Sequence, residues 1–231
     1  MNRFYRMSHT LCRLVFRLSG GIQVYGQEYL PSTGAFLICA NHCSLLDPPL
    51  IGSTFHRQIG YLAKKELFKY PIFSSILRAL GVVSVDRSRL EQETIKKVID
   101  TLKIGRPMVI FPEGTRSRSG ELGRAKVGVG FLARLAGVAV VPAFIRNTRR
   151  WPFTLRQKHR LMIRFGPQLN WEWMAKVPQG KEGYRKIADE IMDRIRMLQS
   201  GAVCPEQPAG LPESGKTLCC VNMTKCPTGQ I

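Results

Sequence analysis

Two short stretches hold the residues best suited to chemistry: Asn41-His42-Cys43-Ser44-Leu45-Leu46-Asp47 and Phe111-Pro112-Glu113-Gly114-Thr115-Arg116. In the first, Asp47 follows His42 closely enough to grip one ring nitrogen. That would fix the tautomer and leave the other nitrogen free to take a proton, which makes a general base. The competing reading is a helix-capping aspartate beside an unrelated loop histidine, and spacing alone does not separate the two. The second stretch brings Glu113 and Arg116, and a third site, Asp86-Arg87, adds another guanidinium. Arg87 and Arg116 are suited to clamping a phosphate through bidentate, charge-assisted bonds, and Gly114 would let backbone approach the ligand. A base in one loop and arginines in others point to catalysis on an anionic substrate. Surface arginines paired with Glu113 and Asp86 explain any single loop well, but explain the coincidence of three less well. Cys43 beside His42 invites a thiol-nucleophile reading, which adjacent side chains rarely support because they seldom converge.

The elements that must position these groups are legible from the apolar runs. Runs at 35–40, 82–85 and 108–111 look like buried strands, and each delivers its polar group just past its end. Further strands are expected at 22–25, 59–63, 139–145 and 161–165, with helices at 48–55, 71–80, 90–104, 126–136 and 180–199. Such alternation predicts an α/β fold with a largely parallel central sheet flanked by helices. Ligands bind outside the carboxyl ends of such strands, so three neighbouring strands would bring the three polar sites into one cleft. Asp47-Pro48-Pro49 reads as a helix start, with Asp47 as N-cap and Pro48 at the first helical position. The alternative, Ser44 as cap with Asp47 three residues on, puts both prolines where N–H groups should already be bonding.

The chain has 231 residues, enough for one sizeable domain. Its 35 Lys+Arg against 16 Asp+Glu leave a net charge of +19, which favours an anionic partner. No apolar run is long enough to span a bilayer, and arginines interrupt the N-terminus where a signal peptide would be plainly apolar. Residues 1–19 are expected to form an amphipathic helix. On it Arg3, Arg6, Arg13 and Arg17 share one arc, and Phe4, Met7, Leu11, Leu14, Val15 and Leu18 another. This division suits the surface of an anionic membrane, the alternative being a helix packed on the domain with a solvated basic face. The basic, aromatic-containing stretch 146–164 fits a membrane interface or a plain surface better than single-stranded nucleic acid. Residues 20–199 form the expected main domain, and 200–231 read as a disordered Pro/Gly/Cys-containing tail. Within that tail, 210–217 match a phosphate-loop pattern without the strand and helix that make such a loop work. Its cysteines match no familiar zinc spacing.

Taken together, the motifs resemble a known family. The His42…Asp47 block is followed by Lys64-Lys65-Glu66-Leu67-Phe68 leading to Gly81…Asp86-Arg87. Then come Phe111-Pro112-Glu113-Gly114-Thr115-Arg116-Ser117-Arg118 and Val140-Val141-Pro142-Ala143-Phe144-Ile145. In order and spacing these resemble the four motifs of the 1-acyl-sn-glycerol-3-phosphate acyltransferases. The resemblance implies transfer of a fatty acyl group from an acyl thioester, acyl-CoA or acyl-ACP (acyl carrier protein), to the sn-2 hydroxyl of lysophosphatidate. It casts His42 as base and Asp47 as its support. Arg87, Glu113, Gly114, Thr115 and Arg116 become binding residues for the glycerol phosphate, with Lys65 assisting. It implies no metal and no cofactor beyond the acyl-carrying co-substrate. It also implies peripheral or monotopic association with the cytoplasmic face of a membrane containing anionic lipids, and no nucleic-acid partner. Ser74 and Ser84 stand where many relatives have glycine and proline, and they lie near the acceptor motif. Another lysolipid acceptor, such as a lyso-ornithine lipid or a lysophospholipid, is therefore the neighbouring alternative. A non-catalytic basic module binding membrane or nucleic acid is the alternative from another class.

Overall fold

The run Leu37–Ala40 is buried at every position, as a strand must be when helices cover both faces of its sheet. In the computed structural model, which describes residues 3–85, 92–151 and 160–202, this run is the second of seven strands. They are β1 (Ile22–Tyr25), β2 (Leu37–Ala40), β3 (Gly60–Lys64), β4 (Val82–Val85), β5 (Met108–Ile110), β6 (Val140–Arg146) and β7 (Leu161–Phe165). They form one sheet in the order β1-β7-β6-β2-β5-β3-β4. Every neighbouring pair is parallel except β6 with β7. The expected α/β class and largely parallel sheet are both observed. Strand β2 begins two residues later than the run 35–40 suggests, although Phe36 is fully buried ahead of it.

The helices are α1 (Arg3–Leu18), α2 (Asp47–Ser53), α3 (Pro71–Ala79), α4 (Gln92–Lys103), α5 (Val127–Ala136), α6 (Trp171–Lys176) and α7 (Lys181–Ser200). Successive residues of β2 point to opposite faces, and each face has its own core. Leu37 and Cys39 pack with Met108 and Ile110 against α4, α5 and α7. Ile38 and Ala40 pack with Val109 and Val141 against Phe16 of α1 and Leu50 and Ile51 of α2. On the first face α5 and α7 cross at backbone contact. A Cβ at Gly130 would lie 1.9 Å from the Tyr184 carbonyl oxygen, so only glycine fits. The apolar stripe of α7 carries one unexpected member. Arg194 is fully buried, its Nε donating to Glu190 (2.8 Å) and its Nη1 to the Pro167 carbonyl (3.2 Å).

Helix α1 has three faces rather than the two read from sequence. Tyr5 and Phe16 are buried, and the Tyr5 hydroxyl accepts from the Ile59 backbone N–H at 3.2 Å. Arg3, Arg6, Arg13 and Arg17 are exposed on a second face. The third, with Met7, Leu11, Leu14 and Leu18, is left uncovered, Leu18 being 72% exposed. The helix is therefore docked on the domain and still presents an apolar row outward. Among the described residues, no helix is long and apolar enough to cross a membrane. Arg87, the middle of the basic stretch (152–159) and the phosphate-loop-like segment lie outside the described residues.

Candidate active site

Because β2 runs parallel to both β5 and β6, the loops leaving all three strands emerge at the same end of the sheet. Asn41, the first residue beyond β2, pins this exit. Its Oδ1 accepts the Ile145 N–H (2.7 Å) and its Nδ2 donates to the Ile145 carbonyl (3.0 Å), extending the ladder to β6 through a side chain. His42 follows, 5% exposed. Its Nδ1 lies 2.8 Å from Oδ2 of Asp47, which has no exposed surface. Of the two readings that spacing left open, the contact between histidine and aspartate is the one present.

The way Asp47 is held differs from the expectation. Helix α2 begins at Asp47 itself and Leu46 occupies the cap position. Pro48 and Pro49 then take the next two positions, and neither has the N–H that a capping side chain would accept. The carboxylate instead turns back over the preceding loop. There Oδ2 also accepts the N–H groups of Cys43 (2.7 Å) and Ser44 (2.8 Å). The alternative capping box is half formed: Asp47 takes the Ser44 N–H as such a box requires, while the Ser44 Oγ accepts the Leu46 N–H at 3.2 Å rather than that of Asp47. One oxygen thus ties together histidine, loop and helix start, while Oδ1 has no hydrogen-bond partner among the described residues. Burial, followed by the Asp47 charge, pushes the Cys43 thiol up from its ordinary range, which disfavours a thiolate beside the dyad.

The loop after β5 closes on His42 from the other side. Phe111 stacks on the imidazole, with centroids 4.0 Å apart and planes at 17°. The Glu113 carboxylate accepts from the His42 N–H (3.2 Å) and the Gly123 N–H (3.0 Å). The His42 carbonyl accepts from the Ser117 N–H at 2.7 Å, which sets Arg116 in the adjoining position, exposed. Thr115 is exposed beside it. Gly114 has φ +70°, and a Cβ there would fall 2.8 Å from Cε of Lys126, whose stem lies across the glycine. Lys65 is exposed where the chain leaves β3, next to β5 in the sheet.

Three neighbours of the site went unassigned at the level of sequence. Phe111 could be read only as the end of a strand. Lys126 lay in an expected helix. Arg149, placed merely in a basic stretch, is near enough to Cys43 for its charge to oppose the rise in that thiol. From His42 and Phe111 an apolar cavity of about 320 Å³ runs inward between α1, α2, β3 and α3, passing Pro49, Gly52, Leu62, Leu77 and Tyr61. A buried acid–base pair lining an apolar cavity, with Arg116 and Lys126 carried by the neighbouring stretch after β5, can take a proton from an alcohol while holding a hydrocarbon chain and an anionic group.

A family model described as Acyltransferase matches residues 21–146, a span that contains all four motif blocks. The chain belongs to the acyltransferase family. This acyltransferase is 29% identical over 197 residues to a 1-acyl-sn-glycerol-3-phosphate acyltransferase of Bacillus subtilis, covering 85% of this chain and 97% of the relative. It is 30% identical over 153 residues to the protein of the same name from Borreliella burgdorferi, covering 63% of this chain and 61% of the relative. The crystal structure of the 1-acyl-sn-glycerophosphate (LPA) acyltransferase from Thermotoga maritima superposes with a TM-score of 0.64 at 26% identity. That superposition covers 85% of this acyltransferase and 80% of its neighbour.

Proposed function

We propose that this acyltransferase moves a fatty acyl group from a thioester to the sn-2 hydroxyl of lysophosphatidate, giving phosphatidate. The relatives named above support the acceptor. The observation that carries the mechanism is the His42–Asp47 pair at the mouth of the apolar cavity. With Nδ1 engaged by Asp47, Nε2 is the nitrogen that meets the acceptor. It takes the hydroxyl proton as the alkoxide oxygen attacks the thioester carbonyl. Asp47 balances the imidazolium in a buried setting. Collapse of the tetrahedral intermediate breaks the C–S bond, and the proton passes from His42 to the departing thiolate, so no acyl-enzyme forms.

In this reading the apolar cavity holds the acyl chain, each buried methylene adding about 0.8 kcal/mol. Arg116 and Arg87 bind the acceptor phosphate, with Lys65, Gly114 and Thr115 at its edge. Glu113 contributes by bracing the His42 backbone, since its carboxylate is engaged by two N–H groups. The uncovered apolar row of α1 rests on an anionic membrane as a peripheral contact, on the cytoplasmic face. Acyl-CoA and acyl carrier protein are both polyanionic donors compatible with the basic surface.

The deciding experiment supplies purified protein with labelled acyl-CoA or acyl-ACP and either lysophosphatidate or the matching monoacylglycerol. Product is expected with lysophosphatidate only. Equal turnover of the uncharged acceptor would overturn the phosphate-binding role.

A further inference from the structure

A second hollow, of about 650 Å³, lies on the opposite flank of α1 from the apolar cavity, between α1, the edge strand β1 and the end of α2. Four of its lining residues, His9, Arg13, Arg17 and His56, are cationic or become so on protonation, and no carboxylate among the described residues lines it. Neither Arg13 nor Arg17 takes part in an ion pair among the described residues. The crowding of positive charge is felt within the group. His9 is held below its ordinary value by burial first; a hydrogen bond to the Phe55 carbonyl opposes this, and the charges of Arg13 and His56 add to it. Such a concentration of one sign in a concave site focuses potential and attracts an anion.

The rim says which kind of anion. Leu14 lines the hollow and is also 51% exposed, beginning the apolar row that continues through Leu18. Cations inside and hydrocarbon at the lip match an amphiphile with an anionic head and apolar tails. His42 does not line this hollow. Tyr5, Ser8 and Cys12 of α1 face the catalytic cavity, whereas Thr10, Arg13 and Arg17 face the hollow, and His9 is common to both.

We propose that the hollow between α1 and β1 binds the phosphate headgroup of an acidic membrane phospholipid, clamped by Arg13 and Arg17, with its acyl chains lying along Leu14 and Leu18. The site assigns two of the four α1 arginines to a specific ligand and leaves Arg3 and Arg6 as general surface charge. It does not depend on the acyl-transfer reading, because occupancy needs no turnover.

The test compares two double variants with equal loss of charge, R13Q/R17Q and R3Q/R6Q, in the full chain. Binding is measured to phosphatidylcholine vesicles with and without phosphatidylglycerol. In parallel, the His9 and His56 ring resonances are followed by NMR during titration with dihexanoyl phosphatidylglycerol or with inorganic phosphate. Two lost charge-assisted bonds should weaken binding to the acidic vesicles by about tenfold or more in R13Q/R17Q. R3Q/R6Q should stay within about threefold of the parent, as screened surface charges do. The short-chain lipid should shift both histidines saturably in the parent and in R3Q/R6Q, and not in R13Q/R17Q. Equal losses in the two variants would reduce the effect to diffuse charge and overturn the site. A response to inorganic phosphate as strong as to the lipid would replace the lipid site with a simple anion site. All four arginines are exposed, so matched unfolding temperatures are expected; a lower one confined to R13Q/R17Q would assign those residues to stability instead.

Discussion

The imidazole of His42 lies flat against the ring of Phe111, with centroids 4.0 Å apart and planes 17° from parallel. Asp47 fixes the ring along one edge through Nδ1, and Phe111 fixes its plane. Together they leave the ring little rotational freedom, and in the proposed reaction this holds Nε2 toward the acceptor hydroxyl.

Removing the base should lower kcat by about 10²–10⁴-fold in His42→Ala, and Asp47→Asn should fall in the same range. Phe111→Ala, which frees the ring without altering its chemistry, should lose about tenfold in kcat with KM for lysophosphatidate nearly unchanged. Steady-state kinetics with circular dichroism as a fold control decides this. A Phe111→Ala enzyme altered only in KM would remove the positioning role.

Glu113→Gln should destabilise the fold more than it changes acceptor affinity. An amide can accept only one of the two N–H groups that the carboxylate satisfies, and the cost reaches about 1–3 kcal/mol where the buried His42 N–H is the one left unpaired. For a chain of this size that is a drop in Tm of roughly 2–4 °C per kcal/mol. Unchanged Tm with a raised KM for lysophosphatidate would instead make Glu113 a direct ligand.

Gly52 lines the apolar cavity, and a methyl group there would sit 2.6 Å from the Tyr61 hydroxyl. Gly52→Ala should therefore narrow the cavity and shift donor preference toward shorter acyl chains. Competition between long- and short-chain thioesters in one reaction gives the ratio directly. An unaltered ratio would place the acyl chain elsewhere.

Cys43 should behave as a neutral thiol. Burial and the nearby Asp47 charge raise its folded-state value above the ordinary one. The thiol therefore stays protonated through neutral pH, and thiolate accumulates only as pH climbs beyond the ordinary thiol range. Alkylation by iodoacetamide should be slow near neutrality and accelerate up to higher pH than for a free cysteine. Cys43→Ala should keep turnover within about threefold, since no step uses the sulfur; loss comparable to that of His42→Ala would reinstate the nucleophile.

Much of this site is legible in sequence because its parts are local. His42 and Asp47 bracket one strand-to-helix turn, and Glu113 to Arg116 fill another. What was hidden depends on which strands are neighbours. The stack of Phe111 on His42 and the brace from Glu113 exist only because β5 pairs with β2. Arg149 approaches Cys43 only because β6 flanks β2 on the other side. The cap at Asp47 was misread because a sequence pattern counts a carboxylate as a donor's partner without asking what is left to donate: Pro49 has no N–H, and that of Leu50 goes to the Leu46 carbonyl. Docking of α1 on the domain stood as the alternative to membrane contact, but the residues that dock were hidden for a compositional reason: Tyr5 and Phe16 are interleaved with polar Ser8 and His9, so no apolar stripe announces them.

Helix α1 also walls the apolar cavity beside His42, through Tyr5, Ser8 and Cys12. In the proposed function, membrane attachment and the measuring of fatty chains would therefore share one piece of polypeptide. Clipping off that helix would unroof the compartment as well as cut the tether, and the lost activity would report both injuries at once. Substitutions confined to Leu11 and Leu18, which face outward and line neither hollow, are the way to loosen the grip on lipid while the chamber stays closed.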